Sequence, residues 1–238
     1  MAIKVILFDC MDTLVHMDVP SLDVYADWAF DAARELGLWE TIESFRARWN
    51  YHRGLFGTAE ANYREGTIRG RLRDLIAERV AAEGRDWSPE RIEREADRVL
   101  DGYWKTYRAA SFVPREVPIS LDELQRRRKR RMGVVSNFMV EGGIPELLRQ
   151  HAIDRFFSLV VVSCDVGFRK PSEIMYQAAV RAAGVAPEEI LFIGDHPVAD
   201  YEGPRAAGMR SLLYDPRRLH VDVEHRFENF REVVRWVV

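Results

Sequence analysis

Asp9 closes the apolar run Ile3-Lys4-Val5-Ile6-Leu7-Phe8, and a carboxylate in that place asks for a chemical explanation. Burying it unpaired is costly, whereas at the open end of a short strand it is well aimed to act as a nucleophile. Three further polar groups follow apolar runs: Ser136-Asn137 after 132–136, Lys170 beyond 157–163, and Asp195 with Asp200 after 190–194. A hydroxyl beside main-chain N–H groups suits an anion, and Gly142-Gly143 ahead of a helix adds more such donors. Three aspartates gathered in one crevice repel by about 4 kcal/mol for a pair about 4 Å apart at an effective dielectric of about 20, and one lysine cannot offset them all. A hard divalent cation can. Mg²⁺ fits oxygen ligands better than zinc, for which no Cys/His set exists, Cys10 and Cys164 being the only cysteines. His196, inside the same cluster, reads as a hydrogen-bonding wall residue.

These groups converge only if a sheet aligns the strand ends. Runs at 3–8, 132–136, 157–163, 190–194 and 210–214 are rich in Val, Ile, Leu and Phe without polar alternation, the pattern of strands covered on both faces. Helical segments near 120–130, 143–151, 172–183 and 198–207 lie between the later runs. Ser120-Leu121-Asp122-Glu123 matches a capping box, Ser172 can cap the third helix, and Gly184 and Gly208 fall where helices end. Strand and helix in alternation predict a doubly wound α/β core with a parallel, Rossmann-like sheet, and side chains beyond its strand ends face one crevice.

Residues 17–107 have no comparable strand run. Helical patterns at about 21–37, 40–54, 58–83 and 88–107, with Ser88-Pro89 as cap and first turn, predict an inserted all-helical unit. Five of the six tryptophans, at 28, 39, 49, 87 and 104, fall there and are expected mainly in its interior. Gly66 and Gly70 are expected four apart on one helix face. The expected division is a core of 1–16 and 108–238 with a helical cap at 17–107. A chain of 238 residues, 47% hydrophobic, has ample material for such a core. Its formal charge of −3 gives no general attraction to nucleic acid or anionic lipid. Two separated cysteines, no basic leader and no spanning stretch point to a soluble, cytoplasmic protein, monomer or homodimer, without membrane or nucleic-acid partners.

Taken together, Phe8-Asp9 to Leu14, Val134-Val135-Ser136-Asn137, Lys170-Pro171 with Tyr176 and Ala179, and Gly194-Asp195 to Asp200 with Ala206-Ala207-Gly208 resemble the haloacid dehalogenase superfamily. The inserted helices resemble that family's cap of the first type. The resemblance implies that Asp9 attacks phosphorus and carries a covalent phosphoryl group, that Ser136 and Asn137 meet phosphate oxygens, and that Lys170 neutralises charge beside Asp9. It implies Mg²⁺ held by Asp9, the Met11 carbonyl and Asp195, with Asp200 direct or through water, and a small phosphorylated metabolite as substrate. A cap of this kind is expected to close over the crevice and choose the substrate.

The chain departs from the family at Met11, where its phosphatases usually place a second aspartate that protonates the leaving alcohol. Loss of such a group typically removes a factor of about 10² to 10⁴ in rate. Asp12 is the substitute at hand. An extended chain turns Asp12 away from Asp9, and a helical turn brings the two together. Two rival readings share the pattern: a metal-independent 2-haloacid dehalogenase, to which Met11 is congenial but Asp195 is not, and a catalytically weak member that acts as a binding protein. The basic run Arg126-Arg127-Arg128-Lys129-Arg130-Arg131 suits a solvated helix end better than a phosphate backbone.

Overall fold

The computed structural model describes residues 2–128 and 130–236. Lys129 and the side chains of Arg127 and Arg128, within the basic run, lie outside the described residues. The chain divides into two compact units, Met1–Met17 with Phe112–Val238, and Asp18–Ser111.

The first unit is built on a six-stranded sheet: β1 Val5–Phe8, β2 Arg131–Ser136, β3 Leu159–Val162, β4 Ile190–Gly194, β5 Arg210–Tyr214 and β6 Arg226–Phe227. Its order is β3-β2-β1-β4-β5-β6, and every pairing is parallel. Phe8 stands in register with Val134 and Ile193, so the chain leaves the central strand between the ends of β2 and β4. The four residues of β1 are completely buried, as its unbroken apolar run requires. Val5 and Leu7 pack on one face with Val135, Ile190 and Phe192 against Met175, Tyr176, Ala179 and Ala183 of the helix Glu173–Ala183. On the other face Phe8 meets the rings of Phe157 and Phe230, each with centroids 6.2 Å away. Each large side chain so buried contributes about 1.5–3 kcal/mol. The fold is the doubly wound α/β architecture that the apolar runs predict.

Local signals err at some helix ends. Ser120 does not cap: the helix starts earlier, at Glu116, and runs to Arg128, leaving the Ser120 hydroxyl inside it, buried and without a hydrogen-bond partner among the described residues. Ser172 does stand at the N-cap of Glu173–Ala183, yet its side chain makes no cap bond. The segment 198–207 is divided. A π-type turn, Pro197–Glu202, precedes the short helix Gly203–Ala206.

In the second unit, α1 Val24–Ala33, α2 Ile42–Gly54, α3 Ile68–Ala82 and α4 Pro89–Ala110 form a helical bundle. The Ser88 hydroxyl accepts from Arg91 N at 3.3 Å, with Pro89 in the first turn. α3 is shorter than its pattern because Asn62 and Tyr63 take positive φ in the turns before it, and the Thr67 hydroxyl then caps it by accepting from Gly70 N at 2.9 Å. Gly66 therefore precedes the helix and packs near the Phe56 ring instead of sharing a face with Gly70. Trp49 is buried between Phe45 and Tyr103 with the Arg71 guanidinium 4.8 Å from its ring centroid, and Trp104 is buried beside Tyr107. Trp28, Trp39 and Trp87 are only half-buried, so the interior expectation holds for two of the five, and the Arg91 guanidinium covers Trp87 at 3.9 Å. Among the described residues no helix is long and apolar enough to cross a membrane.

Candidate active site

Asp9 is pinned where β1 ends by its own N–H, which donates to the Ile193 carbonyl of β4 at 2.8 Å. Lys170, 3% exposed, points its ammonium into the same place. It donates to Asp9 Oδ1 at 2.7 Å, to Asp200 Oδ1 at 2.6 Å and to the Val135 carbonyl at 2.9 Å, so all three N–H groups have acceptors. The loop that carries Lys170 is gripped by Asn137. The Asn137 Oδ1 accepts from Lys170 N at 2.7 Å, and its Nδ2 donates to Lys170 O at 3.0 Å. One amide side chain thereby joins the end of β2 to the backbone of the one lysine that, among the described residues, pairs with Asp9.

The acidic groups after β4 are placed as firmly. Thr13 Oγ1 donates to Asp195 Oδ1 at 3.2 Å. The Asp200 Oδ2 accepts from His196 N at 3.0 Å, while His196 Nδ1 accepts from Val198 N and Ala199 N, each at 3.2 Å. Two main-chain donors on Nδ1 require that nitrogen to be unprotonated, so His196 serves as a cap and wall. Tyr176 closes the turn from behind, its hydroxyl donating to the Ala199 carbonyl at 2.7 Å. The turn lies so close to β4 that a Cβ on Gly194 would fall 2.4 Å from the Asp200 carboxyl carbon, which explains the glycine at that strand end. One potential ligand atom from each of Asp9, Asp195 and Asp200 lies within 4.8 Å of the others.

This concentration of charge shows in the proton affinities. Burial, with Asp200 nearby, pushes the Asp9 carboxyl up to about 7 against the pull of Lys170. Burial together with Asp9, Asp200 and Asp12 pushes Asp195 up to about 8. Lys170 rises too: burial lowers it, but Asp200 and Asp9 outweigh that effect. One ammonium leaves the carboxylates under-compensated. A cation of charge two with a preference for oxygen fits this donor set on both charge and ligand type.

A family model described as haloacid dehalogenase-like hydrolase matches residues 3–208. The chain belongs to that hydrolase family. It is 32% identical over 163 residues to a phosphoserine phosphatase of Thermus thermophilus, a match covering 65% of this chain and 61% of the relative. It is 30% identical over 228 residues to haloacid dehalogenase-like hydrolase domain-containing protein 3 of Xenopus laevis, covering 91% of this chain and 86% of that one. Among solved structures, a 2-haloacid dehalogenase from Pseudomonas syringae superposes with a TM-score of 0.75 at 22% identity, covering 98% of this chain and 99% of the other. At that identity the likeness concerns the fold.

In this hydrolase the path after Asp9 is neither the extended chain nor the plain helical turn weighed from sequence. Leu14 N and Val15 N both donate to the Cys10 carbonyl, Asp12 N donates to the Val15 carbonyl at 2.7 Å, and Asp12 takes a left-handed φ of 60°. The Met11 main chain bridges Val15 within this tight loop. The loop leaves Asp12 exposed on a cavity that Asp195 also lines. The Ser136 hydroxyl is completely buried and has no hydrogen-bond partner among the described residues. Gly143 contributes less than its place before a helix suggests, because its N–H is engaged by the Val140 carbonyl at 3.0 Å. Tyr176 and Thr13 both lie within the sequence motifs, but nothing in those motifs tells what their hydroxyls bind. Their only signal is their type, a hydroxyl where an apolar residue of similar shape would also fill the core.

Proposed function

We propose that this hydrolase is a cytoplasmic, Mg²⁺-dependent phosphatase of a small phosphorylated metabolite, working through an aspartyl-phosphate on Asp9. The observation that carries this reading is the meeting of Asp9, Asp195 and Asp200 around the single ammonium of Lys170. A dehalogenase that attacks carbon without metal gains nothing from three neighbouring carboxylates, whereas phosphate chemistry needs a cation site beside the nucleophile. The phosphatase name of the Thermus thermophilus relative agrees.

Asp9, Asp195 and the Met11 carbonyl would hold the ion, with Asp200, already engaged by Lys170 and His196 N, contributing directly or through water. When bound, Mg²⁺ supplies charge that lowers the carboxyl proton affinities and neutralises phosphate oxygens. The ionised Asp9 oxygen forms a bond to phosphorus as the bond from phosphorus to the ester oxygen breaks. Lys170 fixes the Asp9 carboxyl and offsets charge beside it. Ser136 supports phosphate binding in a specific way: a buried hydroxyl lacking a partner costs about 1–3 kcal/mol, and a phosphate oxygen relieves that cost. The departing alkoxide takes its proton from Asp12, which on its exposed loop occupies the cavity beside Asp195 and stands in for the acid missing at Met11. Asp12 then accepts a proton from the water that cleaves the phosphoryl–Asp9 bond, which restores the free carboxylate.

Phosphate esters and 2-haloacids, each with Mg²⁺ and with chelator, test the reading on the intact protein and on Asp9→Asn. Phosphate release that needs both Mg²⁺ and Asp9 is expected. Chloride release that persists in chelator would overturn it.

A further inference from the structure

The cavity shared by Asp12 and Asp195 has a second end. About 420 Å³ in volume, it lies within the sheet unit and extends past His16 and Tyr214 to Arg217 and His220 on the loop after β5. That loop is built, not loose. Asp215, 3% exposed, accepts from Leu219 N at 2.8 Å and from His220 N at 3.0 Å, which wraps residues 216–220 around its carboxylate. The neighbouring cations are committed: Arg226 pairs with Glu228 and approaches Asp215, and Arg218 pairs with Glu228. Arg217 is different. Among the described residues no carboxylate lies within ion-pair distance of it, and it is an exposed residue on the cavity wall.

We propose that Arg217 is a specificity-determining residue that reads a second anionic group on the leaving alcohol. This rests on the phosphatase reading, in which phosphorus sits beside Asp9 and Asp195. Because Asp195 belongs to both the carboxylate cluster and the cavity wall, the cavity opens beside that phosphorus and offers room for its leaving group. The other acids lining it do not repel an anion at the far end: Asp195 would hold the cation, Asp215 accepts from two main-chain N–H groups with Arg226 3.7 Å away, and Asp12 would serve the ester oxygen. A volume of this size accommodates a leaving group of a few carbons. A guanidinium grips carboxylate or phosphate in a two-pronged fashion, so the chemistry recognised is a compact anion, either carboxylate or a second phosphate.

The test compares carboxymethyl phosphate, the bisphosphate of ethylene glycol and neutral hydroxyethyl phosphate, with Mg²⁺, on the intact protein and on Arg217→Gln, Arg217→Lys and Arg218→Gln. The intact protein is expected to favour at least one anionic ester over the neutral one by about tenfold or more in kcat/KM, and the better of the two anionic esters identifies the anion. Arg217→Gln should lose roughly ten- to hundredfold on that ester, the range for a charge-assisted hydrogen bond, with little change on the neutral one. Arg217→Lys should keep part of the preference, and Arg218→Gln all of it. Equal losses on charged and neutral esters, or no preference in the intact protein, would overturn the role of Arg217 while leaving the phosphatase intact. No hydrolysis of any ester would overturn the phosphatase reading and the subsite with it.

Discussion

Replacing Asp9 by Asn should abolish turnover and, in the absence of metal, make the protein more stable. Asp9 is 7% exposed, and its carboxyl is pushed from 3.8 up to about 7, mainly by burial and against the help of Lys170. Holding that group ionised in the fold therefore costs about 4 kcal/mol at most. Local relaxation and water entry reduce this, so about 1–3 kcal/mol is the working expectation. Because the folded value is raised, the carboxyl contributes no penalty below about 4, where it is protonated folded and unfolded. The penalty grows between 3.8 and about 7 and is complete above that. Asn is a neutral near-isostere whose carbonyl oxygen can still accept from Lys170, and Lys170 retains Asp200 and the Val135 carbonyl. Urea denaturation in chelator should show Asp9→Asn exceeding the parent at pH 8, with the gap narrowing toward pH 5. Added Mg²⁺ should raise the parent more than the variant. A variant less stable than the parent at pH 8 in chelator would refute the idea that the carboxylates are under-compensated.

Met11→Asp should restore an acid two residues after the nucleophile and speed hydrolysis of alkyl phosphates, by up to the factor of about 10² to 10⁴ typical of a positioned general acid; kcat on an alkyl and an aryl ester checks this, the aryl ester gaining less. Asn137→Ala removes both bonds that grip the Lys170 backbone, so a stability loss of about 1–3 kcal/mol should accompany a fall in kcat larger than any rise in KM. Thermal unfolding together with steady-state kinetics would detect either departure.

The sheet and the acidic cluster were readable because each rests on a short-range rule. β1 and β3 are unbroken apolar runs and β2, β4 and β5 are apolar through most of their length, with Asp9 and Asp195 directly after β1 and β4 and Ser136 closing β2. What sequence could not convey depends on partners far along the chain. The grip of Asn137 on Lys170 joins residues 33 positions apart. The left-handed φ of Asp12, which Asp tolerates better than most residues, is held by the bond from its N–H to the Val15 carbonyl, a closure that the sequence left open between extended and helical paths. Ser120-Leu121-Asp122-Glu123 has the chemistry of a cap, but the helix had already begun at Glu116. The continuous helix expected over 198–207 yields to a π-type turn, where Asp200 reaches both Lys170 and the His196 N–H.

The central position of β1 has a consequence for how activity arises during synthesis. Its two neighbours in the sheet begin at Arg131 and Ile190, and Lys170 is 161 positions from Asp9. At about 5–20 residues per second, roughly 8 to 30 s separate the two on the ribosome. Until Arg131–Ser136 has been made, the emerging polypeptide holds that carboxylate with neither counter-charge nor a flanking strand. A product that stops short of Lys170, Asp195 and Asp200 therefore lacks both the counter-charge and the rest of the carboxylate cluster, and is expected to be inert.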